Sequence, residues 1–213
     1  NNVPYLDALR PEPGWHTEYA ILATYSADLV ALVAALLALA GLDDDRGSGS
    51  KVDFANSLEQ LKDRVRLVVQ AGRLVTPTKT QKILAILDRY VRMVALDENY
   101  ESWHPKLAIA KLQSDDGSAH EWRLWMGSRN LTRDISWDVG LTLIGRPGGD
   151  GRAIAGIDEL GHVLAQHADL PGVMATRLRR ELRDTRWTSP TGCQVSEINL
   201  FAGKENRNLP TPP

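Results

Sequence analysis

Apolar and polar positions switch between two periods along this chain, and the switches mark out its elements. "EYAILATYS" (18–26) reads as a short buried strand, and "SADLVALVAALLALAG" (26–41) as a helix with Ser26 or Asp28 near its N-cap and Gly41 past its end. "SLEQLKDR" (57–64) predicts a helix, "VRLVVQAG" (65–72) a strand, "TKTQKILAILDRY" (78–90) a helix entered after Pro77, and "VRMVALD" (91–97) a strand. Later, "SWDVGLTLIG" (136–145) predicts a strand, and "GRAIAGIDELGHVLAQHAD" (151–169) and "GVMATRLRRELRDTRW" (172–187) predict helices. Repeated β and α elements of this length predict an α/β layered fold in one domain, with at most an appendage. The first fifteen residues read as an arm or lead-in loop, and "LDDDRGSGSK" (42–51) as a solvated loop. Residues 1–188 form the expected lobe. The Pro/Gly/Asn-rich stretch 189–213 reads as a linker or the start of a second lobe, with one short strand at most.

The formal charge of -2 and pI of about 6.2 give no global positive field to advertise a polyanion, so nucleic-acid binding requires a local basic patch. The longest apolar run, Leu29–Ala40, is well short of the roughly 20 residues that span a bilayer, so no membrane partner is expected and a soluble cytoplasmic protein is the simplest reading. The single cysteine, Cys193, excludes an intramolecular disulfide, fits a reducing compartment and reads as a small buried apolar residue.

Chemistry concentrates in "WHPKLAIAKL" (103–112) and "GSRNLT" (127–132). Alternate residues of a strand share a face, so His104 and Lys106 point the same way, roughly 6–7 Å apart, with Leu107 and Ile109 opposed. Pro105 suits a strand start or edge. Asp116-Gly117 is a favoured turn pair, and "WRLWMG" (122–127) again reads as a strand. A hairpin centred near Asp116 pairs residues whose numbers sum to about 232, which sets His104 opposite the neighbourhood of Ser128. At a phosphodiester, neutral His104 can attack phosphorus without a separate base. Lys106 can neutralise phosphate oxygens, the Asn130 amide and Ser128 hydroxyl can donate to the transition state, and Gly127 allows close backbone approach. The arrangement calls for no cofactor and no metal.

"HPK" followed by "GSRN" resembles the HxK...GSxN signature of the phospholipase D superfamily, whose members hydrolyse phosphodiesters of lipids or nucleic acids through a phosphohistidine without a metal. The resemblance implies a phospholipase D-like lobe with a mixed central sheet flanked by helices. It also implies His104 as nucleophile, Lys106 and Asn130 as phosphate-binding residues, and Ser128 as a supporting ligand. Two positions depart from the longer family pattern: Lys111 stands where that pattern has Asp, and the acidic residue after GSxN has only Asp138 as a nearby candidate. These departures, with "NLTRDISWD" (130–138), loosely resemble the tyrosyl-DNA phosphodiesterase branch and point towards a nucleic-acid substrate, DNA or RNA. Family sites resemble two facing HxK motifs, and this chain has one, so either a homodimer or a second lobe is implied. A phospholipid hydrolase and a catalytically silent lobe for nucleic-acid binding or assembly are the alternatives.

Several neighbours receive plainer readings. Lys111 is expected as a solvent charge on a strand face. His16, His120, His162 and His167 lack metal-ligand spacing. Trp122, Trp125 and Trp137 are expected to pack, whereas Trp103 is the candidate for substrate contact. Arg177, Arg179, Arg180, Arg183 and Arg186 read as the solvated face of a helix paired with Glu181 and Asp184. Arg129 and Arg133, flanking Asn130, are better placed to receive a polyanion.

Overall fold

The computed structural model describes residues 5–42, 51–76, 86–97, 99–133 and 138–200. The strands are β1 (Trp15–Thr24), β2 (Ala27–Asp28), β3 (Val65–Gln70), β4 (Leu74–Val75), β5 (Val91–Val94), β6 (Lys106–Ser114), β7 (His120–Gly127), β8 (Gly140–Pro147) and β9 (Thr185–Thr188). The helices are α1 (Leu29–Leu39), α2 (Lys51–Leu61), α3 (Ile157–Ala168) and α4 (Ala175–Asp184). Seven strands build one mixed sheet in the order β5-β3-β1-β6-β7-β8-β9, while β2 and β4 pair separately. β5, β3 and β1 run parallel, and every neighbour from β1 to β9 through β6 is antiparallel.

Helices cover both faces of this sheet. Leu22, Leu67, Ala108 and Ala110 pack with Leu32, Leu36 and Leu58 on one side; Ile21, Val68, Ile109 and Leu124 pack with Leu160, Leu164, Leu178 and Leu182 on the other. Burial on two faces is why "AILA" and "VRLVV" read as continuous apolar runs rather than as alternating patterns. Helix α1 begins where the Asp28 side chain accepts from the Val30 N–H at 2.7 Å, and it stops before Gly41, whose φ is +73°.

Five sequence expectations change. The opening arm is part of the core: Asp7–Leu9 form a 3-10 turn, Leu9 is fully buried, and the Tyr5 and Trp125 rings lie 4.0 Å apart. The helix predicted to Trp187 ends at Asp184, because the β-branched and aromatic "TRWT" pairs with β8 as β9. Cys193 is exposed, since its segment is a turn-rich loop and contributes no strand to the core. Lys111 is buried, because α4 covers the face expected to meet solvent. The hairpin pairs residues summing to 233, not 232: the loop Asp115–Ser118 has an even number of residues, so its centre falls between Asp116 and Gly117. Asp116 organises that loop by accepting from Ser114 Oγ, Ser118 N and Ser118 Oγ at 2.7, 3.0 and 2.8 Å. Most of the helix predicted over 78–90, most of the acidic loop, Trp137 and residues 201–213 lie outside the described residues. Among the described residues no helix is long and apolar enough to cross a membrane.

Candidate functional site

His104 and Lys106 lie where β6 begins, one edge of the sheet being set by the ends of β1, β3 and β7. The register puts Lys106 opposite Thr24 and Leu107 opposite Met126, so the strand-end residues of β1 and the GSRN turn after β7 flank the His/Lys segment. His104 itself precedes the strand and is exposed. Its backbone is anchored by Trp103, whose N–H donates to Gln70 Oε1 at 2.8 Å and whose indole N–H donates to Val68 O at 3.2 Å. Trp103 is buried and packs on His167, with ring centres 4.7 Å apart, so it holds the histidine segment from within the core rather than touching substrate.

Lys106 Nζ lies 3.0 Å from His104 Nδ1 and 3.4 Å from Nε2. A neutral imidazole offers a ring lone pair to such an ammonium, whereas an imidazolium offers none. Burial, and secondarily the Lys106 charge, push the His104 pKa down, while burial lowers that of Lys106.

Asn130 is brought to the same edge by Thr24, a residue that sequence reasoning missed. The buried Thr24 hydroxyl donates to Ser26 O at 2.9 Å, lies 3.4 Å from Asn130 Oδ1, and accepts the Leu131 N–H at 3.2 Å. Its only sequence signal was a hydroxyl residue closing an apolar strand. Asp28 adds a second tie, accepting from Arg133 Nε at 2.8 Å. Ser128 donates to Asp138 at 3.1 Å and accepts the Val139 N–H at 3.0 Å, and Arg129 pairs with Asp138 at 3.3 Å. These bonds close the turn on itself. Gly127 is required by packing: a Cβ there would lie 2.6 Å from Val139 O and 2.7 Å from the Trp125 ring.

Asn130, Arg129, Leu131 and Thr132 also form one wall of a 520 Å³ cleft closed by Tyr5, Arg10 and the alanines of α1. That cleft does not include His104 or Lys106, which stand at an open lip. The other histidines do not join them: His16 binds Asp115 at 2.9 Å, His167 packs on Trp103, and among the described residues no three metal-ligating side chains gather. Lys111 is held by Glu18 at 3.2 Å and Glu181 at 3.1 Å. Arg177 pairs with Glu181 within α4, as expected, whereas Arg179 reaches Asp158 and Glu159 of α3 rather than a carboxylate of its own helix.

No protein-family model matches the sequence, and no curated protein matches it. Among solved structures, a mutant of yeast tyrosyl-DNA phosphodiesterase is similar, with 15% identity and a TM-score of 0.48 over 84% of this chain and 36% of that one. The chain thus spans little more than a third of that protein. A likeness at this level bears on no individual residue of the site.

Proposed function

We propose that the chain is one lobe of a metal-independent phosphodiesterase acting on nucleic acid, with His104 as the nucleophile. The observation that carries this reading is the exposed imidazole of His104 with the Lys106 Nζ 3.0 Å from its Nδ1, beside the Asn130 turn. A ring nitrogen attacks phosphorus, a P–N bond forms, and the P–O bond to the leaving oxygen breaks. Lys106 and the Asn130 amide stabilise the charge on the phosphoryl oxygens. Water then hydrolyses the phosphohistidine and restores the imidazole. The leaving oxygen needs a proton, and this lip is open to solvent, so a second HxK from another copy or another lobe supplies the acid and excludes water. Arg129 and Arg133 each already hold a carboxylate, Asp138 and Asp28, so their first task is to shape the turn.

The test is cleavage of labelled single- and double-stranded DNA and RNA in EDTA by the chain and by His104→Ala, with the mass in solution recorded. Cleavage by a dimer that is lost in the variant is the expected result. A well-folded monomer that cleaves nothing overturns the stand-alone reading, and a preference for phospholipid vesicles overturns the nucleic-acid substrate. One observation favours a second reading, a catalytically silent binding lobe: among the described residues no carboxylate bonds to His104, and Lys111 is locked in the core. Salt-sensitive oligonucleotide binding without turnover is its signature.

A further inference from the structure

Four side chains touch in succession at the lip. Lys106 Nζ lies 3.0 Å from His104 Nδ1. On the imidazole packs the Tyr25 ring, with centres 4.6 Å apart and planes inclined by 43°. Over the Tyr25 ring lies the Arg73 guanidinium, its carbon 5.0 Å from the ring centre. Two cations and two rings are therefore linked by contact. Neither Tyr25 nor Arg73 belongs to the motif that pointed to the site.

These contacts are built on fixed backbone. Arg73 N–H donates to Gln70 O at 3.1 Å, and Arg73 O accepts from Ala27 N at 3.0 Å. Gly72, at φ +77°, makes the turn out of β3 that brings Arg73 beside Ala27 at the start of β2. The side chain of Arg73 is exposed while its guanidinium is held by the ring, an arrangement that limits the orientations it must lose on binding.

Spacing suggests what the second cation meets. The two centre-to-centre steps of 4.6 and 5.0 Å keep Arg73 within about 10 Å of His104, and successive phosphates of one stacked strand rise about 3.4 Å. A phosphodiester at His104 and Lys106 thus has a phosphate one or two nucleotides away within reach of Arg73. A phospholipid with a single phosphodiester gains nothing there.

We infer that Arg73, seated on Tyr25, binds a phosphate flanking the one at His104 and Lys106, making a polynucleotide the preferred substrate. The inference rests on the phosphate-binding half of the proposed function. The test is fluorescence anisotropy of a short labelled single strand bound by full-length His104→Ala across a salt series, with Arg73→Ala and Arg73→Lys added in that background. Loss of one phosphate contact lowers the slope of log affinity against log salt by about 0.7, with affinity falling about tenfold at fixed salt. Arg73→Lys is expected to restore the slope. An unchanged slope in Arg73→Ala, or no salt-dependent binding by His104→Ala, overturns the inference. Turnover of bis(p-nitrophenyl) phosphate in EDTA judges the catalytic reading separately. A chain that turns it over but whose slope ignores Arg73 loses only this inference; one with the Arg73 slope and no turnover loses only the nucleophile.

Discussion

Thr24→Val is the sharpest probe of how the site is assembled, because it keeps the shape of the side chain and removes both its donor and its acceptor. The hydroxyl donates to Ser26 O at 2.9 Å and accepts the Leu131 N–H at 3.2 Å, in surroundings where Thr24 and Leu131 are both buried. Stranding the Leu131 N–H costs about 1–3 kcal/mol. The added methyl group offsets about 0.8 kcal/mol of that. The expected net loss is about 0.2–2 kcal/mol, which urea unfolding reads as a shifted midpoint at constant slope.

The same change removes the Leu131 N–H tie beside Asn130 and so loosens the residue that carries the amide. A displacement of about 1 Å at a positioning group costs on the order of 100-fold in kcat/KM. The assay is oligonucleotide cleavage in EDTA, with Thr24→Ser as the control that keeps the hydroxyl and is expected within a few-fold of the parent. A Val variant that loses the stability but keeps kcat/KM within about threefold refutes the argument, since Asn130 is then either held by something else or not needed.

The pH profile follows from the directions of the two shifts at the lip. His104 titrates below its ordinary 6.5, so its neutral form already dominates at neutral pH and the acid limb of kcat/KM is expected to have its midpoint under 6.5. Lys106→Met removes the smaller of the two lowering causes, so that limb moves up yet stays below 6.5, burial remaining; a parent midpoint above 6.5 contradicts the geometry. Gly127→Ala drives a Cβ into Val139 O and the Trp125 ring and is expected to cost about 1–3 kcal/mol, read as a lower Tm; an unchanged Tm contradicts the packing. Lys111→Asp puts a third carboxylate beside Glu18 and Glu181 and is expected to destabilise by about 3–5 kcal/mol; a stable variant shows that Lys111 is not the group neutralising them.

Lys111 also illustrates what an alternating pattern can and cannot tell. Polar residues on a strand predict a solvent face only where one face is wet, and here α4 supplies Glu181 to a lysine that the pattern would leave in water. The plain solvated readings succeeded where a helix carries its own partners, as with Arg177 and Glu181 four residues apart. The half-step error in the hairpin register has a similarly local cause, the four-residue loop organised by Asp116. Trp103 was misread because a tryptophan next to a candidate nucleophile looks available, whereas its indole N–H is bound to Val68 O in the core.

The site itself was half legible, and the division falls where chain connectivity ends. His104, Lys106 and the GSRN turn belong to one hairpin, so a turn signal at Asp116-Gly117 is enough to bring them together. Thr24, Tyr25 and Arg73 arrive by another route. Because β3 runs parallel to β1 and β6 runs antiparallel to it, the ends of β1 and β3 and the start of β6 share one edge of the sheet. Nothing local links Thr24 to Lys106 across the intervening segment; only the pairing of β1 with β6 does. The hairpin can therefore carry the motif, but the Thr24 tie and the Arg73–Tyr25 contact exist only when β1 sits between β3 and β6. A substitution that spared the hairpin and broke the β1–β6 pairing would leave every residue of the motif in place and still dismantle the site.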